Sequence, residues 1–212
     1  MKYKGIIFDL DGVICLTDQF HYQAWKQLAA ELGVYFDENI NNRLRGVSRN
    51  ESLEIILEQF NENISTEEKE VLLAKKNRWY VGQLEKMSPA DLPIDVTMTL
   101  QELRQKGYLL AIGSSSKNAR LILNKIGVND YFDAVSDGSN ISKSKPDPEV
   151  FLKAAEYLQC PPADCLVVED AKAGIEAAAR GGFDSAGIGE AATCEKTTYR
   201  IGSLKDLLSI VN

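Results

Sequence analysis

Apolar residues follow two textures along this chain. The stretch KGIIF, Lys4 to Phe8, is a short β-rich run that reads as a buried strand, and it stops at Asp9 and Asp11. From Asp18 to about Tyr80 the apolar positions recur at helical spacing. FHYQAWKQLAAELG, SLEIILEQF and STEEKEVLLAKKNRWYVGQL each predict a helix, with no strand among them. Ser65 and Glu68 form a capping-box pattern that opens the third, and Gly33 is placed to close the first. After SPADLP the texture changes again. VTMTLQELRQKG predicts a helix, YLLAIGS a strand, KNARLILNKIG a helix, and YFDAVSDG a strand with its loop. PDPEVFLKAAEYLQ predicts a helix, CLVVED a strand, AKAGIEAAARGG a helix, FDSAGIG a strand and SLKDLLSIV a last helix. Met87 and Met98 read as core filler.

Strands that alternate with helices predict a parallel sheet covered on both faces, here a doubly wound α/β architecture. The N-terminal strand completes that sheet, so a helical insert of ~60–70 residues interrupts the α/β unit after its first strand. The expected division is an α/β core from residues 1–16 and 88–212, with a helical unit at 17–87.

Open parallel sheets bind ligands at the carboxyl ends of their strands. Those ends carry Asp9 and Asp11, then Ser114, Ser115 and Ser116, then Lys143 or Lys145, then Glu169 and Asp170. Taken singly, each has a plain structural reading as a cap or a solvated loop residue. Four such groups at successive strand ends point to a site instead. Carboxylates gathered at adjacent ends repel, and a cation relieves them. Oxygen-only ligands select a hard divalent ion, with Mg2+ the natural choice. Serines and a lysine beside such an ion suit a phosphate. Asp9 can then act as a nucleophile toward phosphorus, and Asp11 as general acid/base.

Composition narrows the partners. The 212 residues are 44% hydrophobic and 26% charged, with a net charge of −7, ordinary for a globular protein and unfavourable for nucleic acid or anionic membranes. Cys15, Cys160, Cys165 and Cys194 match neither a zinc site nor a disulfide framework and read as reduced thiols. No signal-peptide pattern or membrane-spanning run is present, so the expected setting is cytoplasmic, and the expected assembly is a monomer.

FDLDGV, a Ser after an apolar strand, KSKPDPEVF and VVEDAKAGIEAAARGG together resemble the haloacid dehalogenase superfamily of phosphoryl-transfer enzymes, and the helical insert resembles its small helical cap. Within that superfamily the chain is similar to the β-phosphoglucomutase family, whose members interconvert β-glucose 1-phosphate and glucose 6-phosphate through β-glucose 1,6-bisphosphate. The resemblance implies a small-molecule sugar phosphate as partner, with Asp9 as nucleophile and Asp11 as general acid/base. It implies Mg2+ held by Asp9, Asp170 and the backbone carbonyl of Asp11, with Glu169 in or near that shell. It implies Ser114, Ser115 and Lys145 on the transferring phosphate, since Lys145 directly precedes Pro146, and leaves Lys143 at the surface. HYQAWK would bring His21 and Trp25 to the substrate, RGVSRNESL Gly46, Ser48 and Arg49, AKKNRWYV Lys76, and SSSKNA Ser116, Lys117 and Asn118. Of these, Arg49, Ser116, Lys117 and Asn118 would hold the distal phosphate, with Thr17 at a hinge. Without the resemblance, His21 would be a packing residue and Lys76 a solvated one. Arg49 near a helix start opposes the dipole, a hint that an anion is expected there.

Overall fold

The structure, a computed structural model, describes residues 2–60 and 63–211. Its six strands are β1 (Gly5–Phe8), β2 (Leu109–Gly113), β3 (Ala134–Ser136), β4 (Cys165–Glu169), β5 (Asp184–Gly187) and β6 (Tyr199–Arg200). They form one parallel sheet in the order β3-β2-β1-β4-β5-β6. The chain therefore runs outward from β1 to β3, then returns to start β4 on the other side of β1. That reversal opens a crevice at the carboxyl ends of β1 and β4, the place where this topology binds ligands. The expected doubly wound parallel sheet is present.

Strand periodicity explains why β1 is apolar throughout. Ile6 and Phe8 face one way and pack with Leu110, Ile112, Leu166 and Val168. On that face they meet α5 (Ile94–Gln105) and α6 (Ala119–Lys125). Ile7 faces the other way with Ala111 and Val167, against α7 (Glu149–Tyr157) and α8 (Lys172–Arg180). Both faces are covered, so neither tolerates a polar alternation.

Between β1 and α5 lie α1 (Asp18–Glu31), α2 (Glu38–Arg43), α3 (Arg49–Leu57) and α4 (Thr66–Leu84). Trp25, Leu28, Ala29, Phe36, Leu44, Leu53 and Ile56 form a separate apolar cluster among them. Ser65 and Glu68 make the capping box read from the sequence, and Gly33 follows α1 at a φ of +67°. No helix of the described residues is long and apolar enough to cross a membrane.

Four local expectations need correction. α2 was not predicted: ENINNR buries none of its residues and carries no apolar period, and it forms on the cap made by Asp37, which accepts from the Ile40 amide at 2.9 Å. β6 was not predicted either, because two residues at a sheet edge leave no alternation to read. The expected last helix over SLKDLLSIV is a 3-10 turn, Leu204–Asp206, followed by α9 (Leu207–Ile210). Met98 is not core filler: α5 turns Val96, Thr99, Leu100 and Leu103 inward and leaves Met98 64% exposed, while Met87 is buried as expected. All four cysteines are free, three of them buried.

Candidate active site

The first acid of the β1 end is fixed by the sheet. The Asp9 amide donates to the Val168 carbonyl at 2.9 Å, extending the β1–β4 ladder by one residue. Its carboxylate meets the Lys145 ammonium at 2.5 Å, and Lys145 also donates to Glu169 at 2.5 Å. Lys145 is 0% exposed, and its Nζ lies 4.7 Å from the centre of the Phe151 ring. Glu169 is fully buried too, its second oxygen accepting from the Ala171 amide at 2.8 Å. Gly12 is required by this packing. It sits at a φ of +91°, and a Cβ there would lie 2.2 Å from Asp170 Oδ2.

Asp9, Glu169 and Asp170 each offer a carboxylate oxygen, all within 4.8 Å of one another. Burial is the largest influence on Asp9, and with the charges of Glu169 and Asp11 it outweighs the Lys145 ion pair and pushes Asp9 up to about 8. Burial, with the charges of Glu169 and Asp9, pushes Asp170 up to about 9. Burial opposes the charge on Lys145, but its two carboxylate partners overcome that and raise it. Two of these carboxylates share the one buried ammonium, Asp170 does not reach it, and the three remain short of positive charge. An oxygen-only donor set with that deficit fits a hard divalent cation. Mg2+ at 100 times its Kd is expected to stabilise the fold by about 2.7 kcal/mol. Thermal unfolding with Mg2+ and with a chelator checks this, and Asp170→Asn is expected to remove most of the difference.

Asp11 takes a different direction. Its carboxylate accepts from the Thr17 hydroxyl, and it lies outside the metal-capable cluster among the described residues. Burial pushes it up to about 6, against the pull of the Thr17 hydrogen bond. Thr17 itself is fully buried at the N-cap position of α1.

A cavity of about 690 Å³ opens above these groups, in the range of small-ligand sites. Among the residues predicted for function, Asp9, Asp11, Asp170, His21, Trp25, Gly46, Ser48, Arg49, Lys76, Ser114, Ser115, Ser116, Lys117 and Asn118 all line it. Lys145, Glu169 and Thr17 do not; each is 0% exposed, packed behind the lining. The loop between β2 and α6 turns on its own side chains, with the Ser114 hydroxyl accepting from the Ser116 amide at 3.1 Å and the Ser116 hydroxyl from the Asn118 amide at 3.2 Å. α6 begins at Ala119 and not at Lys117, so Lys117 stays outside the helix and exposed.

From the helical side, Arg49 is the first residue of α3, behind a capping box of Ser48 and Glu51. Lys76 is not the solvated lysine that its charged stretch predicts. It is 1% exposed, shares a hydrogen bond with His21 Nδ1 at 2.9 Å, and sits 4.6 Å from the ring centres of both Trp25 and Tyr80. Burial, then the charge of Arg49, holds Lys76 well below the usual lysine range, and burial does the same to His21. Among the polar contacts that close the helical segment onto the sheet are three hydrogen bonds. The Ser115 hydroxyl donates to the Gly46 carbonyl at 3.0 Å, the Asn118 amide to Asn77 at 3.0 Å, and the Ser144 hydroxyl to Glu51.

Arg45 and Asp18 are among the lining residues that escaped the sequence reading. Arg45 pairs with Asp18 at 2.5 Å and stands 3.8 Å from Asp170. The only sequence hint was an arginine beside Gly46 in a loop already rich in polar residues.

Residues 3–182 match the haloacid dehalogenase-like hydrolase family. The chain is 41% identical over 189 residues to the β-phosphoglucomutase of Bacillus subtilis, covering 88% of this chain and 84% of that protein. A crystal structure of β-phosphoglucomutase from Clostridium difficile is 36% identical and matches with a TM-score of 0.91, covering 97% of this chain and 93% of that one. A fructose-1-phosphate phosphatase from Escherichia coli is 30% identical over 185 residues, covering 87% of this chain and 95% of that protein.

Proposed function

This chain belongs to the haloacid dehalogenase-like hydrolase family, and we infer that it acts as a β-phosphoglucomutase, interconverting β-D-glucose 1-phosphate and glucose 6-phosphate. The phosphatase reading is the weaker one, since the phosphatase relative stands at 30% identity against 41%. The observation that carries the residue roles is a single chamber holding both an acid cluster and a separate set of anion donors, Arg49, Ser116, Lys117 and Asn118. A phosphatase needs only one phosphate site. A mutase must hold a bisphosphate at both ends.

In this reading residues 17–87 are a cap over a core made by 1–16 and 88–212. Asp9 attacks the transferring phosphorus, and the bond to the departing sugar oxygen breaks as an aspartyl-phosphate forms. Asp11, pushed up to about 6, gives its proton to that oxygen and later takes one from the other sugar hydroxyl. The Thr17 hydroxyl orients it. Ser114, Ser115 and Lys145 hold the transferring phosphoryl group. His21, Trp25, Gly46, Ser48 and Lys76 bound the sugar. Mg2+, held by Asp9, Asp170 and the Asp11 carbonyl with Glu169 beside them, would mask phosphoryl charge and favour the ionised carboxylates. The aspartyl-phosphate passes its phosphoryl group to the 6-hydroxyl of β-glucose 1-phosphate, and the β-glucose 1,6-bisphosphate so formed turns round and returns its 1-phosphoryl group to Asp9, releasing glucose 6-phosphate. Closure of the cap excludes water, which would otherwise hydrolyse the aspartyl-phosphate. The setting consistent with this substrate is the cytoplasm, with the protein acting as a monomer.

The deciding assay supplies Mg2+, β-glucose 1-phosphate and a trace of the bisphosphate. Glucose 6-phosphate formation well above orthophosphate release is expected; comparable rates would return the protein to the phosphatases. Arg49→Ala is expected to cut glucose 6-phosphate formation about 100-fold, while phosphorylation of Asp9 by acetyl phosphate falls less than about threefold. Equal losses in the two measurements would overturn the division into two phosphate sites.

A further inference from the structure

The charges of the cleft are shared in two sets. Lys145 lies between Asp9 and Glu169, at 2.5 Å from each. Arg45 lies between Asp18 and Asp170, at 2.5 Å and 3.8 Å. The two arginine contacts differ in kind. Asp18 opens α1 and Arg45 precedes α3, so their pair is internal to the helical segment. Asp170 follows β4, so the second contact crosses the cleft from helices to sheet. Among the described residues it is the ion pair that joins the helical segment to the acid cluster. Arg45 is not free to wander: its side chain is only 32% exposed, and its Nε is buried with no hydrogen-bond partner among the described residues. Asp170, 13% exposed, has no share in Lys145.

We propose that Arg45 is a positioning residue that competes with the divalent cation for Asp170. Without the ion, its guanidinium supplies the missing positive charge and draws the helical segment onto the sheet. With the ion, Asp170 is engaged and Arg45 falls back on Asp18, its nearer partner. The chemistry favours such an exchange. At 3.8 Å the Asp170 contact is an ion pair longer than a hydrogen bond, so it is given up at small cost, whereas a carboxylate bound directly to a hard cation is held firmly. The Asp18 contact keeps the guanidinium in place for the return. Cation loading and cleft closure are thereby linked through one side chain.

The inference rests on Asp170 being a metal ligand, and the experiment separates the two. Mg2+ binding to the chelator-stripped protein is measured by calorimetry for the native chain, Asp170→Asn, Arg45→Ala, Arg45→Lys and Lys143→Ala. Lys143 also lines the cavity but is exposed and pairs with Asp147 at 3.7 Å, so it controls for bulk charge. Native binding that Asp170→Asn abolishes upholds the metal site. Given that, Arg45→Ala is expected to bind Mg2+ about three- to tenfold tighter, Arg45→Lys to lie between, and Lys143→Ala to stay within about twofold of native. In the metal-free state, amides of residues 45–49 are expected to exchange faster in Arg45→Ala than in the native chain, and with Mg2+ bound the two are expected to agree. Unchanged or weaker affinity in Arg45→Ala overturns the competition while leaving the metal site standing, as does an equal gain in Lys143→Ala. No Mg2+ binding by the native chain overturns both.

Discussion

Asp9→Asn is expected to lower glucose 6-phosphate formation roughly 10⁴-fold or more, since a nucleophile has no substitute at the reacting atom. The amide matches the carboxyl in shape but cannot form an acyl phosphate of useful lifetime. The fold is expected to survive. Lys145 keeps Glu169 at 2.5 Å, and the change removes one of three crowded buried carboxylates. The loss therefore reports chemistry, and a circular dichroism spectrum like that of the native chain confirms this. A second measurement sorts Asp9 from Asp11. With acetyl phosphate as donor, Asp9→Asn is expected to show no phosphoenzyme, whereas Asp11→Asn is expected to become phosphorylated on Asp9 and then fail to pass the group to the sugar. Turnover within tenfold of native in Asp9→Asn would remove this residue from the role of nucleophile.

How much of this was written in the chain depends on whether the cause was local. The acids of GIIFDLDGV and VVED stood out because each ends an apolar strand, and a strand end is visible in one dimension. The capping box of Ser65 with Glu68 and the turn at Gly33 were visible for the same reason. Lys76 was not. Nothing in AKKNRWYV separates it from Lys75, which stays at the surface with Glu31. Its burial is decided by Trp25, His21 and Tyr80, two of them some 50 residues away in sequence. Arg45 is a stronger case, because its contact with Asp170 spans 125 positions and exists only once the helical segment has settled on the sheet. Met98 failed in the opposite sense: an apolar residue on a helix was read as inward, and the helix phase set by Val96, Leu100 and Leu103 turned it out. α2 was hidden because a cap at Asp37 made the helix, with no apolar face to betray it.

Lys145→Ala is expected to be the most destabilising single change in the cleft, at about 3–5 kcal/mol, read as a lower midpoint in urea unfolding. The reason is what the lysine leaves behind. Its ammonium is the buried partner of both Asp9 and Glu169, and all three side chains are at most 9% exposed. Removing it strands two carboxylates, with Asp170 adding a third charge within 4.8 Å. Lys145→Met tests the cause: methionine refills most of the space beside Phe151 but supplies no charge, so it is expected to be nearly as unstable as alanine. Acid relieves both variants. Asp9, which burial already pushes up to about 8, loses the ammonium that opposes that rise, so its protonated form stabilises the fold at low pH and that contribution is lost as pH rises. The deficit against the native chain is therefore expected to be smaller at pH 5 than at pH 8. Mg2+ is expected to recover part of the stability at pH 8 by supplying positive charge, and none of the turnover, because the ammonium that should meet the transferring phosphoryl group is still missing. A loss under about 1 kcal/mol, or a deficit equal at both pH values, would mean that the acid cluster does not depend on Lys145 for its charge balance.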